Sequence, residues 1–158
     1  MKRFIRKVAV LGSGVMGSRI ACHYANIGCE VILLDIAPKE LNDLEKKKGA
    51  KLEDKGVRNR IVDSSLQFAL KSNPSPIYSK SFAKRIETGN FDDDLQKIKD
   101  CDWVIEVIIE RLDIKQQLFE KVEKYRKPGT LISAFKAVPT RNINTNRLIL
   151  IKQQPFLS

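Results

Sequence analysis

Three glycines and one aspartate carry the chemistry most directly readable in this chain. Gly12-Ser13-Gly14-Val15-Met16-Gly17 follows the apolar run Val8 to Leu11, and Asp35 closes a second apolar run, Val31 to Leu34. An apolar helix pattern lies between them, so the stretch reads as strand, glycine turn, helix, and a strand with an acid at its tip. A turn of this kind handles phosphate. Gly12 permits the tight turn, Gly14 lets backbone N–H groups approach a pyrophosphate, and Gly17 lets helix and strand pack closely. The helix N-terminus offers unsatisfied donors and a positive dipole end to the same anion. Asp35 stands where a carboxylate accepts hydrogen bonds from both hydroxyls of an adenosine ribose. It also repels a 2′-phosphate, with no arginine close behind it and Lys39 the nearest cation. The cofactor-binding candidates are therefore Gly12, Ser13, Gly14, Val15, Met16, Gly17 and Asp35, and NAD is expected over NADP. An unliganded glycine turn would show the same three glycines; the flanking strand, helix and acid argue against it.

The elements around this stretch must hold it on one rim of a sheet. Met16, Ile20, Tyr24 and Ile27 recur at helical spacing and predict the face of the first helix that meets the sheet, with Gly28 as its stop. His23, the one histidine, sits beside that face and reads as a structural or surface residue. From about residue 38 to 82 a helical insertion separates the second and third strands, with helices predicted over Leu41–Lys48 and Val57–Leu70 and a loop at Ser72 to Pro76. Its lysines read as solvated helix faces, or as an arm that attracts the phosphates of coenzyme A. Regular alternation then returns: a short strand Arg85–Thr88, a connecting helix Phe91–Lys99, a buried strand Trp103–Ile109, a helix Asp113–Tyr125 and a fifth strand from Thr130. This is the pattern of an α/β domain, a Rossmann-type doubly wound parallel sheet. Glu110 falls at the carboxyl end of strand four, on the rim of the glycine turn. Glu106, within a strand of Val and Ile, must be hydrogen-bonded, near the cofactor or near the surface.

With 158 residues, 42% of them hydrophobic and 30% charged, the chain can bury one domain core. No apolar run is long enough to span a bilayer. MKRFIRK runs directly into the first strand without the features of a signal peptide, so the expected compartment is the cytoplasm and no membrane partner is expected. Cys22, Cys29 and Cys101 are odd in number and widely spaced, which predicts reduced, buried thiols and no metal site. The net charge of +10 invites a nucleic-acid reading. Its distribution argues against one: residues 135 to 158 contribute four cations and no acid, and no basic run is interleaved with stacking aromatics.

At this point KVAVLGSGVMGSRIA, Asp35, the helical insertion, and VIEVIIERLDIKQQLFEKVEK followed by PGTLISA resemble the NAD-binding domain of 3-hydroxyacyl-CoA dehydrogenases, including those within multifunctional fatty-acid oxidation proteins. The resemblance covers roughly Lys7 to Ala134. It implies NAD as cofactor, Glu110 and Lys115 near the nicotinamide end, and hydride transfer between a 3-hydroxyacyl-CoA and NAD in fatty-acid β-oxidation. It also implies a histidine, oriented by a glutamate, that takes the hydroxyl proton from a position beyond the fifth strand.

The match breaks at Ala134, where FKAVPTRNINTNRLILIKQQPFLS follows with no histidine, no acid and no Asn-Thr-Ser segment. The expected organisation is therefore an NAD-binding domain over residues 1–134 and a divergent tail over 135–158, a product of frameshift, truncation or an evolved replacement. No catalytic residue is assigned. Acyl-CoA becomes a partner only with the missing C-terminal domain, and the chain alone is expected to be inactive. The fifth strand would be left as an exposed parallel edge, which predicts association into a homo-oligomer, with Arg147–Lys152 as a substitute strand. Other NAD-dependent hydroxy-acid dehydrogenases share the glycine motif but not the insertion. A nucleotide-holding module without chemistry is the reading from a different class.

Overall fold

The computed structural model describes the backbone of residues 4–108 and 112–134, and side chains over the same ranges except 112–116. Five strands, β1 (Lys7–Leu11), β2 (Glu30–Asp35), β3 (Ile86–Asn90), β4 (Trp103–Glu106) and β5 (Leu131–Ala134), form one sheet in the order β3-β2-β1-β4-β5. Every pairing is parallel. Among the described residues five α-helices accompany them: α1 (Val15–Asn26), α2 (Asp43–Lys47), α3 (Lys55–Arg58), α4 (Arg60–Lys71) and α5 (Leu112–Tyr125). Among the described residues no helix is long and apolar enough to cross a membrane.

The strand sequences are apolar on both faces because both faces are covered. Val8, Val10, Val31, Leu33 and Ile105 pack under α1 and α4 against Ala21, Cys22, Ala25, Val62 and Leu66. The alternate residues Ala9, Leu11, Ile32, Leu34 and Val104 meet Leu95 and Ile98 of the 3-10 helix Leu95–Asp100, and Leu118 and Val122 of α5. The chain winds outward from β1 to β2 and β3, then returns to β4 on the other side of β1. The strand order reverses at β1 and β4, and the carboxyl ends of strands at such a reversal are where open parallel sheets bind ligands.

Four sequence expectations are corrected. Strand β4 stops at Glu106, not Ile109, because Glu106 Oε1 accepts the Ile108 N–H at 2.7 Å and turns the chain off the sheet. The connection after β3 is a 3-10 helix over Leu95–Asp100 instead of an α-helix from Phe91, since Asn90 folds residues 91–94 into a tight turn first. The second insertion helix is broken at Asn59 into α3 and α4. On α1 the buried stripe is Gly17, Ser18, Ala21, Cys22 and Ala25; Met16, Ile20 and Tyr24 only flank it, and Ile27 is 62% exposed. The helix lies too close to the sheet for large side chains at the centre of the contact.

The insertion is anchored at the same rim as Asp35. Asn90, paired with Asp35 across β2 and β3, is 1% exposed. Its Nδ2 donates to Asn59 Oδ1 at 2.8 Å and Asp93 Oδ2 at 2.9 Å, while its Oδ1 accepts the N–H groups of Asp92 and Asp93. Arg58 makes a two-pronged ion pair with Asp93, which with Asn90 holds that carboxyl below its ordinary range. The lysines at 46, 47, 48, 51 and 55 point to solvent. Removing Asn90 strands buried Asn59 and two loop amides, so Asn90→Ala is expected to cost about 2–3 kcal/mol in urea denaturation.

At the opposite end of the sheet, Asp102 accepts the N–H groups of Arg6 (2.9 Å) and Lys7 (3.1 Å) and pairs with Lys127 Nζ at 2.9 Å. Its pKa is lowered to about 2, chiefly by the Lys127 bond and then by the two backbone amides. The folded pKa lies below the unfolded value of about 3.9, so this stabilisation is present above pH ~4 and is lost as pH falls toward 2. Its size is on the order of 2 kcal/mol. In Asp102→Asn, stability at neutral pH should fall by that order, and the steep loss between pH 4 and 2 should flatten, as read by denaturation midpoints against pH.

Candidate functional site

The site is built where β1 ends. Gly12 has φ +105°, a left-handed backbone, and donates its N–H to Leu34 O at 2.7 Å, which ties the turn to β2. A Cβ there would meet Val107 backbone and Ile108 Cγ1 at 3.2 Å, so the turn after β4 packs directly upon it. Ser13 is 1% exposed. Gly14 caps α1 with no side-chain hydrogen bond, and no acid occupies the helix's first turn. Among the described residues nothing lies within 4 Å of a Cβ built on Gly14, at the N-terminus of the helix. Gly17 is the reverse case: its Cβ would sit 1.8 Å from Gly12 O. Ser18, 1% exposed, donates its hydroxyl to Ser13 O at 2.6 Å and pins the turn from below.

Asp35 reaches this turn from the tip of β2. Its Oδ2 accepts both the N–H of Ser13 (2.6 Å) and the hydroxyl of Ser13 (2.5 Å), and its Oδ1 accepts the Ile36 N–H at 2.7 Å. Ile36 beside it is 54% exposed, and Val15 on the other side of the turn is 72% exposed. The rim therefore combines an uncapped helix N-terminus for an anion, a fixed carboxylate for a hydroxyl donor, and apolar side chains left open to a flat ring. This donor set fits a dinucleotide.

The structure brings Gly12, Ser13, Gly14, Val15, Met16, Gly17 and Asp35 together on one rim. Glu110 lies outside the described residues. Lys115 falls in α5, its side chain likewise outside them. Residues 135–158, the tail with the substitute strand expected over Arg147–Lys152, also lie outside. His23 is exposed, about two and a half turns along α1 from Gly14. The three cysteines are buried and free, and burial raises all three thiols, Cys101 to about 12, so none is a ready nucleophile. Sequence reasoning missed Ser18 and Ile36. A serine in the first turn of an otherwise apolar helix, and an isoleucine directly after the strand-end acid, are the signals that mark them. Of the three alternatives open for Glu106, the structure shows the hydrogen-bonded one: it is 1% exposed, accepts the Ile108 N–H, and shapes the turn that covers Gly12.

Comparison with known proteins follows the same outline. Residues 7–142 match the family model described as 3-hydroxyacyl-CoA dehydrogenase, NAD binding domain, so the likeness runs past Ala134. A probable 3-hydroxyacyl-CoA dehydrogenase of Bacillus subtilis (strain 168) is 46% identical over 134 residues, which are 85% of this chain and 17% of that protein. Another, from Deinococcus radiodurans, is 45% identical over 130 residues, 82% of this chain and 34% of that protein. The chain thus spans between about a sixth and a third of the length of these curated relatives. Among solved structures, the (S)-3-hydroxybutyryl-CoA dehydrogenase of Ralstonia eutropha matches with a TM-score of 0.52 at 25% identity, covering 83% of this chain and 41% of that one.

Proposed function

This chain belongs to the 3-hydroxyacyl-CoA dehydrogenases, whose NAD-binding domain it matches, and from that premise we propose that it holds NAD along the β1–β4 rim for oxidation of a 3-hydroxyacyl-CoA. The observation that carries the reading is Asp35 fixed beside the open N-terminus of α1 at the reversal of strand order. Gly14 and the first-turn amides of Val15 and Met16 would hold the pyrophosphate. Asp35 receives a ribose hydroxyl, with Ile36 and Val15 as apolar flanks for the adenosine end. Glu110 and Lys115 are assigned to the nicotinamide end on the family resemblance, and 1–134 is the cofactor domain.

When bound, NAD supplies the hydride acceptor that turns the 3-hydroxyl carbon into a 3-keto group. The residues of this chain bind and orient: the glycine turn excludes side chains from the anion path, and the Glu106-held turn closes the rim from the β4 side. The acyl-CoA pocket and the proton-accepting base are not assigned to any described residue. Calorimetric titration with NADH and with NADPH tests the cofactor reading. Saturable NADH binding, with NADPH weaker by at least about tenfold, is expected from a carboxylate at the 2′ position. Equal binding of both, or of neither, would remove Asp35 or the whole rim from the site.

A further inference from the structure

We infer that the hydroxyl of Ser13 is the positioning group that sets the choice between NAD and NADP, by fixing one oxygen of Asp35 to the glycine turn. The inference rests on the NAD site proposed above and deepens it. A carboxylate offers about four in-plane acceptor sites. Three are already filled here: Oδ2 takes the Ser13 N–H and the Ser13 O–H, and Oδ1 takes the Ile36 N–H. One site remains, on Oδ1, so the carboxylate as held here presents an acceptor to one ribose hydroxyl and not to the two expected from the sequence. Asp35 is partly exposed while Ser13 is 1% exposed, so Ser13 acts through the acid and not on the ligand. Its own carbonyl is held by Ser18, which keeps residue 13 from rotating with the carboxylate.

The consequence is a carboxylate that cannot swing aside. A 2′-hydroxyl finds an acceptor in a fixed place, whereas a 2′-phosphate meets a negative group that three donors hold against it. Without the Ser13 hydroxyl only the two backbone amides remain, and the carboxylate gains the freedom to turn away from a phosphate.

The test is titration of Ser13→Ala and Ser13→Gly with NADH and NADPH beside the wild type, each variant first checked for cooperative unfolding. Both substitutions keep the residue 13 amide and remove the hydroxyl, Ser13→Ala alone keeping the Cβ, so Ser13→Ala is the primary variant and Ser13→Gly the second. The ratio of NADH to NADPH affinity is expected to fall about tenfold, the worth of one charge-assisted hydrogen bond. Ser13→Thr, which keeps the hydroxyl, should restore it. In an Asp35→Ala background the Ser13→Ala change should leave the ratio where Asp35→Ala alone puts it, because the hydroxyl works only through the acid. An unchanged ratio in Ser13→Ala while the wild type still selects NADH would overturn this inference and leave the NAD site standing. Tighter NADH binding by Ser13→Ala would also overturn it, since the hydroxyl would then be a competitor of the ribose. A wild type that binds no NADH overturns both.

Discussion

Gly17→Ala is expected to remove most of the stability of this domain. The added Cβ would lie 1.8 Å from the carbonyl oxygen of Gly12 and 2.9 Å from its carbonyl carbon, and both are backbone atoms of a turn with no slack. Gly12 is itself held at φ +105° by its bond to Leu34 O and by contact with Val107 and Ile108. Relief would require α1 to move off the sheet, opening the stripe of Ser18, Ala21, Cys22 and Ala25 that packs on β1 and β2. A cost on the order of 4 kcal/mol is expected, a large share of the ~5–15 kcal/mol that holds a domain together. Urea denaturation followed by circular dichroism measures it. A midpoint within error of the wild type would mean that the helix is not seated as closely as described.

Gly14→Ala should do the opposite. Among the described residues nothing lies within 4 Å of its Cβ position, and with φ −54° the backbone accepts any residue. Stability should change by less than about 1 kcal/mol, the modest difference between glycine and alanine at a helix cap. Yet that methyl group would occupy the space through which a pyrophosphate must approach the first-turn amides. NADH affinity is therefore expected to fall by about a hundredfold or more, near 2.7 kcal/mol. The two glycines are three residues apart in the motif, and calorimetry with denaturation separates their roles: one serves the fold, the other the ligand. Loss of stability in Gly14→Ala with binding intact would reverse the assignment.

Much of this arrangement was legible before any coordinates. The glycine turn, the helix after it and the acid at the end of the next strand are local features, written in residues that are neighbours in sequence or follow a short period. The doubly wound parallel sheet followed from alternating apolar runs and helical patterns, and the insertion between β2 and β3 from its break in that alternation. The misreading on α1 has a definite origin. Periodicity rewards large apolar residues, so Met16, Ile20, Tyr24 and Ile27 claimed the sheet-facing side. The close approach enforced at Gly17 reserves that side for small residues, and no pattern of hydrophobicity distinguishes a close helix from a distant one.

The sequence by itself determined the glycine turn and the acid at the end of the next strand, because a phosphate turn needs glycine for backbone space and a ribose needs an acid at a strand end. What only the tertiary structure decided is how those residues meet. Asp35 reaches the amide and hydroxyl of Ser13 across 22 positions, and Asn90 binds Asn59 across 31, to seat the insertion on the same rim. Glu106 likewise became a turn-forming residue only when its carboxylate folded back on Ile108 under the glycine turn. Hydrogen bonds of this range depend on strand order and on the packing distance of α1. Both are set by the burial of the whole core, and no stretch of the chain encodes them alone.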